Sequence, residues 1–178
     1  MIKKGIILAG GLGTRLSPLT KPISKQLLPI YDKPLIFYPL SVLMLCNIRD
    51  VLIIVKKGEK ENFKKVFGNG NDLGIKINYK EQLNPKGIPD AFIVGENFIK
   101  NSNIALILGD NFFYGQGLSE ILRKSFSLKN GACIFTYPIN NPENFGIVEK
   151  IRGSKKLKII EKPKKTKSNR AITGLYIF

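Results

Sequence analysis

The sequence predicts an α/β fold, a Rossmann-like three-layer α/β/α sandwich around a mostly parallel, mixed sheet. Three observations predict it. Short continuous apolar runs at residues 6–8, 51–55 and 104–108 have the composition of strands buried on both faces. Stretches with helical spacing alternate with these runs, the pattern of βαβ units. The second half is strand-rich, with runs at 133–137, 147–150, 157–160 and 175–178, which suggests antiparallel additions to the sheet.

Taken in order, Ile6, Ile7 and Leu8 empty into three glycines within four residues, Gly10, Gly11 and Gly13. Without Cβ atoms these positions can take φ > 0 and bring backbone N–H groups close to an anion. Thr14 adds a hydroxyl, and Arg15 a permanent cation whose planar fork suits phosphate oxygens. The stretch reads as a polyphosphate cradle or as an ordinary Gly-rich βα turn. It is not a Walker A loop, because no Gly-Lys-Ser/Thr tripeptide occurs in the chain. Nor is it the dinucleotide fingerprint, since Thr14, Arg15 and Leu16 follow Gly11-Leu12-Gly13.

Asp32-Lys33-Pro34 reads as a turn into a helix over 34–46, with Pro34 at its first position and Asn47 at its end. Its faces are nearly all apolar, so it should be buried. A second strand at 51–55 precedes a helix at 59–67 and the turn-forming run 68–72. Residues 75–80 alternate as a half-buried strand does. A helix over 90–98, with Pro89 near its start, leads to the strand 104–108, which stops at Gly109-Asp110-Asn111. Residues 118–128 have a helical period, with Leu118, Ile121, Leu122 and Phe126 apolar. No internal repeat is visible, and no linker before residue 150.

The 178 residues suit one domain. The hydrophobic fraction of 43% and mean hydropathy of −0.02 are those of a soluble globular protein. No signal-peptide pattern opens the chain and no apolar stretch is long enough to span a bilayer. Cys46 and Cys133 sit in apolar surroundings and read as two buried thiols, which fits a reducing cytoplasm. Of the net charge of +16, residues 150–170 carry +9, with ten Lys/Arg against Glu161 alone. A basic run can mark nucleic-acid binding. This one lacks interleaved aromatics and any binding-module signature, so a solvated surface that steers anionic ligands is preferred, with no nucleic-acid partner and no membrane.

Beyond the glycine loop the chain reads Lys21-Pro22-Ile23-Ser24-Lys25-Gln26-Leu27-Leu28-Pro29-Ile30. With Gly10-Gly11-Leu12-Gly13-Thr14-Arg15-Leu16 before it, the chain resembles the sugar-phosphate nucleotidyltransferase family, in its thymidylyl-transferring branch. The resemblance continues through Leu108-Gly109-Asp110-Asn111, Phe145-Gly146, Glu161-Lys162-Pro163-Lys164 and Thr173-Gly174-Leu175-Tyr176, and covers essentially the whole chain. It implies a fold of the nucleotide-diphospho-sugar transferase type, with a nucleotide-binding part at about 1–130 and a sugar-phosphate-binding part at about 131–178. It also implies transfer of a thymidylyl group from dTTP to glucose 1-phosphate, giving dTDP-glucose and pyrophosphate in dTDP-rhamnose and polysaccharide biosynthesis. The cofactor it implies is Mg²⁺, and the assembly a homo-oligomer. Because the attacking phosphate oxygen is already anionic, such chemistry needs no general base, and the absence of histidine is no obstacle.

By the resemblance, Arg15 holds the triphosphate while Leu8, Gly10, Gly11, Gly13 and Thr14 line its cradle. Lys25 reaches the α-phosphate, and Lys162 holds the phosphate of the sugar. Asp110 is a Mg²⁺ ligand in this reading and an Asx-type turn or cap in the alternative. Gln82 and Gly87 match nucleobase contacts, and a Gln amide can both donate and accept, as thymine's imide edge requires; Gln26, a further nucleotide-binding position, favours the thymidylyl branch. Gly146, Glu161 and the backbone of Ile172 match sugar contacts. Glu161 could equally be an ion-pair partner within the basic run. Leu12 stands where a small residue is more usual, and Gly87-Ile88-Pro89-Asp90 departs from the commoner Gly-Leu-Ala-Gln. The chain stops in an apolar strand and reads as C-terminally truncated, with the family's second metal aspartate outside it. Binding is therefore expected to survive better than catalysis. Two functions remain open here: a thymidylyltransferase catalytic domain, or a non-catalytic nucleotide- or nucleotide-sugar-binding domain.

Overall fold

The computed structural model describes residues 2–84, 86–128, 130–151, 153–154 and 156–178. The chain forms two compact units, Met1–Cys133 with Tyr176–Phe178, and Ile134–Leu175.

In the first unit the elements run β1 (Lys4–Ala9), β2 (Pro29–Ile30), β3 (Lys33–Pro34), α1 (Phe37–Leu45), β4 (Asp50–Lys56), α2 (Lys60–Phe67), β5 (Lys76–Gln82), α3 (Asp90–Val94), α4 (Glu96–Ile99), β6 (Ile104–Leu108) and α5 (Leu118–Phe126). Strands β5, β4, β1 and β6 lie side by side, and each neighbouring pair is parallel. Ile6 stands opposite Leu52 on one side and Leu106 on the other, and these side chains share a face. Ala91, Phe92, Val94, Phe98 and Ile99 of α3 and α4 cover that face. The opposite face meets α1, so closely that a Cβ on Gly5 would lie 2.7 Å from Leu43 Cδ1. Both faces are thus covered by helices, which explains why β1, β4 and β6 read as unbroken apolar runs while β5, at the sheet edge, alternates. The expected α/β layering is present. Ile104 and Phe178 exchange two backbone hydrogen bonds of 3.0 Å, and the Phe178 ring meets Phe92 edge-on.

The second unit contains β7 (Cys133–Pro138, from Ile134 onward), β8 (Gly146–Lys150), β9 (Leu157–Glu161) and most of β10 (Arg170–Ile177). Here the pairing is antiparallel between β8 and β9 and between β8 and β10, as the strand-rich composition suggested. The connection into β10 is tied down by side chains. Thr166 Oγ1 and the Lys167 N–H both donate to the Glu149 carboxylate, and Ser168 Oγ donates to the Val148 carbonyl at 2.6 Å. Two cations of the basic run, Arg152 and Lys155, lie outside the described residues.

Several local expectations need correction. Pro34 does not open a helix. It pairs with Pro29 in a two-stranded ladder whose turn is Tyr31-Asp32, with Tyr31 at φ 62°, and α1 begins three residues later. Pro39 sits within the first turn of α1, where a missing N–H removes no intrahelical bond. Leu45 of that helix is exposed rather than buried. Asn47 does end it, at φ 62°, with the Ile48 N–H reaching back to the Leu43 carbonyl. The single helix expected over 90–98 breaks into α3 and α4 at Gly95, where a Cβ would stand 2.8 Å from the Ala91 carbonyl oxygen. Cys46 is buried as expected, whereas Cys133 is only half-buried; burial pushes the Cys46 thiol up to about 12.

Candidate active site

In the first unit the parallel strands deliver their chemistry to one edge. β1 ends at Ala9, β5 at Gln82 and β6 at Leu108, so the glycine loop, Gln82 and Asp110 all emerge at the carboxyl end of the sheet. Ligands bind at that edge in open α/β sheets.

The loop is shaped residue by residue. Gly13 adopts φ 64° and ψ 25°, a left-handed conformation, and leads into a single 3-10 turn at Thr14–Leu16. Thr20 Oγ1 donates to the Gly13 carbonyl at 2.9 Å and fixes that peptide. Of the three glycines that could take positive φ, Gly13 does so and Gly10 and Gly11 do not. Gly10 is instead a place where another side chain passes: a Cβ there would fall 1.8 Å from Gln82 Nε2.

Gly11, Gly13, Thr14, Arg15, Leu16, Lys25, Gln26 and Asp110 line one pocket at this edge. A second pocket shares Gly11, Gln26 and Asp110 with it and adds Leu8, Gln82, Gly87, Ile88 and Leu108. Every nucleotide-binding residue expected from sequence, apart from Gly10, lines one pocket or the other, and Gly10 lies against Gln82. At the shared wall Lys25 Nζ donates to Asp110 Oδ2 at 2.9 Å, with side-chain exposures of 32% and 34%. Arg15 is exposed, and among the described residues no acid pairs with it. Gln26 and Gln82 are each 3% exposed, and the Oε1 of each lacks a hydrogen-bond partner among the described residues. Two buried acceptors without donors are costly in isolation and are suited to a ligand that brings N–H groups.

Asp110 follows Gly109, whose N–H donates to the Leu8 carbonyl at 2.9 Å. Among the described residues no cluster of three or more His, Cys, Asp or Glu could hold a metal. A single carboxylate beside a phosphate-type loop fits Mg²⁺, which commonly takes one or two carboxylates and completes its shell with phosphate oxygens and waters.

The second unit gathers the other expected set. Gly146 and Glu161 are register partners across β8 and β9. A Cβ on Gly146 would stand 3.0 Å from Glu161 Oε2 and 3.7 Å from Ile172 Cδ1, so these three residues meet at one place. Lys162 follows with φ 43°, unusual for a residue with a side chain, and its N–H donates to the Phe145 carbonyl at 3.0 Å. Glu161 and Lys162 are both exposed.

Sequence reasoning missed Thr20, Gly109, Ile88 and Leu108. Ile88 and Leu108 supply the apolar wall of the second pocket, and a Cβ on Gly109 would lie 3.2 Å from Gln26 Cγ. Only Leu108 and Gly109 carried a usable signal, as the end of an apolar strand at an acidic turn.

A family model described as nucleotidyl transferase matches residues 4–178. The chain is 52% identical over 175 residues to the glucose-1-phosphate thymidylyltransferase of Neisseria meningitidis, covering 98% of this chain and 61% of that protein. To the protein of the same name from Mycolicibacterium smegmatis it is 47% identical over 175 residues, covering 98% and 60%. The chain therefore spans about three-fifths of the length of these curated relatives. Among solved structures, a candidate glucose-1-phosphate thymidylyltransferase from Bacillus anthracis, in complex with sucrose, superposes with a TM-score of 0.89 at 36% identity, covering 98% of this chain and 70% of that one. A UDP-glucose pyrophosphorylase complexed with UDP-glucose gives a TM-score of 0.82 at 26% identity, covering 99% and 76%.

Proposed function

This chain belongs to the nucleotidyl transferase family, and from that premise we propose that it carries the substrate-binding parts of an enzyme transferring a thymidylyl group from dTTP to glucose 1-phosphate with release of pyrophosphate. The observation that carries the reading is the Lys25–Asp110 pair, 2.9 Å apart, at the foot of a glycine loop that also presents Arg15. The names of relatives about half identical along nearly the whole chain support the same substrates.

In this reading the sugar phosphate supplies its own nucleophile, an anionic oxygen, so the protein's task is to align it and to neutralise charge. Arg15, exposed and without an acidic partner among the described residues, holds the β- and γ-phosphates that leave as pyrophosphate. The loop N–H groups share that load, and Lys25 follows the charge that builds on the α-phosphate. Gln82 and Gln26 offer their buried acceptors to the base. Glu161 accepts sugar hydroxyls beside Gly146, and Lys162 holds the sugar phosphate. Asp110 would hold Mg²⁺, which when bound neutralises phosphate charge.

The test is pyrophosphate release by the 178-residue chain with dTTP, glucose 1-phosphate and Mg²⁺, with a dTTP titration beside it. Turnover, or saturable dTTP binding that Arg15→Ala abolishes, supports the reading. Binding without turnover assigns the chain the binding work of a longer enzyme or of a non-catalytic module. If dTTP does not bind at all, or binds no better than it does to Arg15→Ala, the reading fails.

A further inference from the structure

Gly10 sits in a phosphate-type loop, yet its backbone has no need of glycine: it is absent from the positive-φ positions, unlike Gly13 in the same loop. Its lack of a side chain serves a neighbour. A Cβ built there would fall 1.8 Å from Gln82 Nε2, 2.6 Å from Cδ and 3.0 Å from Cγ, so the carboxamide occupies the space that any other residue at position 10 would fill. Gln82 is buried to 3% exposure at the end of β5, and its Oε1 has no partner among the described residues.

We infer that Gly10 is a positioning residue for the base-reading amide: its missing Cβ is the seat that holds the Gln82 carboxamide in one orientation, and through Gln82 it sets which nucleobase the pocket accepts. The inference rests on the proposed nucleotide site. A free carboxamide can turn over and exchange its donor for its acceptor, so it tells few bases apart. Seated against Gly10 by its Nε2 end, Gln82 keeps an acceptor waiting for a donor. The N3–H of thymine supplies that donor, whereas N3 of cytosine is itself an acceptor. Leaving a buried acceptor unpaired is the kind of penalty that discriminates strongly between substrates. Gly109 stands in a similar relation to Gln26, but a Cβ there also meets the Leu8 carbonyl and Ala9 Cβ at 3.2 Å, so Gly10 gives the cleaner test.

The experiment uses the 178-residue chain and its Gly10→Ala, Gln82→Ala and doubly substituted forms, with two readouts. The first, free of any ligand, is the side-chain NH₂ resonance of Gln82. The inference expects Gly10→Ala to move it clearly while thermal unfolding stays cooperative; an unmoved resonance overturns the inference whatever the protein binds. The second is the ratio of dissociation constants for dCTP and dTTP. Gly10→Ala should lower that ratio about tenfold, the scale of one buried hydrogen bond, and should change it no further in the Gln82→Ala background. An equal loss in both backgrounds shows that Gly10 acts through the loop and overturns the inference. If the wild-type chain binds neither nucleotide, the proposed function fails and the base-reading half of the inference with it, while the resonance still decides the seat. If Gly10→Ala does not fold, Gly10→Ser with Gln82→Asn, which shortens the opposing side chain, should restore folding; failure to do so also overturns the seat.

Discussion

Replacing Gly13 by alanine tests whether the loop's fixed backbone shape holds the first unit's site together. The left-handed conformation at φ 64° costs a residue with a Cβ roughly 1–2 kcal/mol. The new Cβ would also stand 2.9 Å from Thr20 Cγ2 and 3.2 Å from Lys25 Cβ. Thr20 cannot simply step aside, because its Oγ1 is bonded to the Gly13 carbonyl. Relieving that crowding adds about 1 kcal/mol. The expected loss is about 2–3 kcal/mol, or roughly 5–10 °C in Tm for a chain of this size. The assay is ligand-free thermal unfolding followed by far-UV circular dichroism. Two companions sharpen it. Gly13→Asn, which tolerates left-handed backbone better, should recover part of the loss but not the crowding. Gly11→Ala has its nearest neighbour 4.0 Å away and no positive φ, so its unfolding should move by less than about 0.5 kcal/mol. A Gly13→Ala protein melting within a degree of wild type would refute the reasoning. An equally large loss in Gly11→Ala would show instead that the loop rejects any side chain, whatever its backbone angles.

Arg15→Ala should leave unfolding unchanged, since the side chain is exposed and engages no acid among the described residues. It should nevertheless cut turnover of an active form by about two to three orders of magnitude, the scale of one lost transition-state donor, as a pyrophosphate-release assay would read. Glu149 is held below its ordinary value of 4.5 by the Thr166 hydroxyl, with help from the Lys167 N–H. A depressed carboxylate contributes stability that is present above its unfolded value and is lost as pH falls through the folded one. Tm should therefore fall with pH below about 4.5, and Glu149→Gln, measured over pH 3–6, should flatten that fall. Cys46 is buried and its thiol is pushed up to about 12, so a thiol reagent at pH 8 should leave it unlabelled until denaturant unfolds the chain; labelling of native protein at Cys46 would contradict its burial.

The parallel core of the first unit was legible because burial on both faces writes itself as unbroken apolar runs in β1, β4 and β6, two of which lead into Gly10 and Gly109. The candidate pocket was legible from residue chemistry at Arg15 and Asp110 and from the family resemblance at Lys25, and the three line one pocket. What the sequence hid was the reason for each glycine. Gly10 and Gly13 look alike in the chain, but Gly13 answers to its own φ and Gly10 to a side chain 72 positions away, which no local pattern encodes. Gly95 was hidden in the same way. Its helix breaks where a Cβ would also stand 3.2 Å from Ile6 Cδ1, a tertiary constraint that overrides the local helical preference of 90–98. Pro34 misled because a proline before an apolar run suits a helix start and an extended strand equally well; the turn at Tyr31-Asp32 decided between them.

The Lys25–Asp110 pair joins stability to function. At 2.9 Å, with each side chain about a third exposed, it is too well solvated to contribute more than about 1 kcal/mol to folding. Its use lies in what it prevents. Without a ligand, the cation and the anion that the proposed function assigns to a triphosphate and its metal would otherwise face one another unpaired in a pocket whose lining already includes the orphan amide oxygen of Gln26. Pairing them keeps both side chains in place at small cost. On the proposed function, the same weakness would let them separate when a phosphate offers Lys25 a better anion and a divalent cation offers Asp110 a better charge. Lys25→Met should therefore change Tm by only a few degrees while strengthening Mn²⁺ binding to the nucleotide-free chain, because Asp110 loses its competitor. Isothermal titration with Mn²⁺ reads this directly. Unchanged or weaker Mn²⁺ binding in Lys25→Met would mean that Asp110 is not a metal ligand in waiting, and that the pair is only a surface contact.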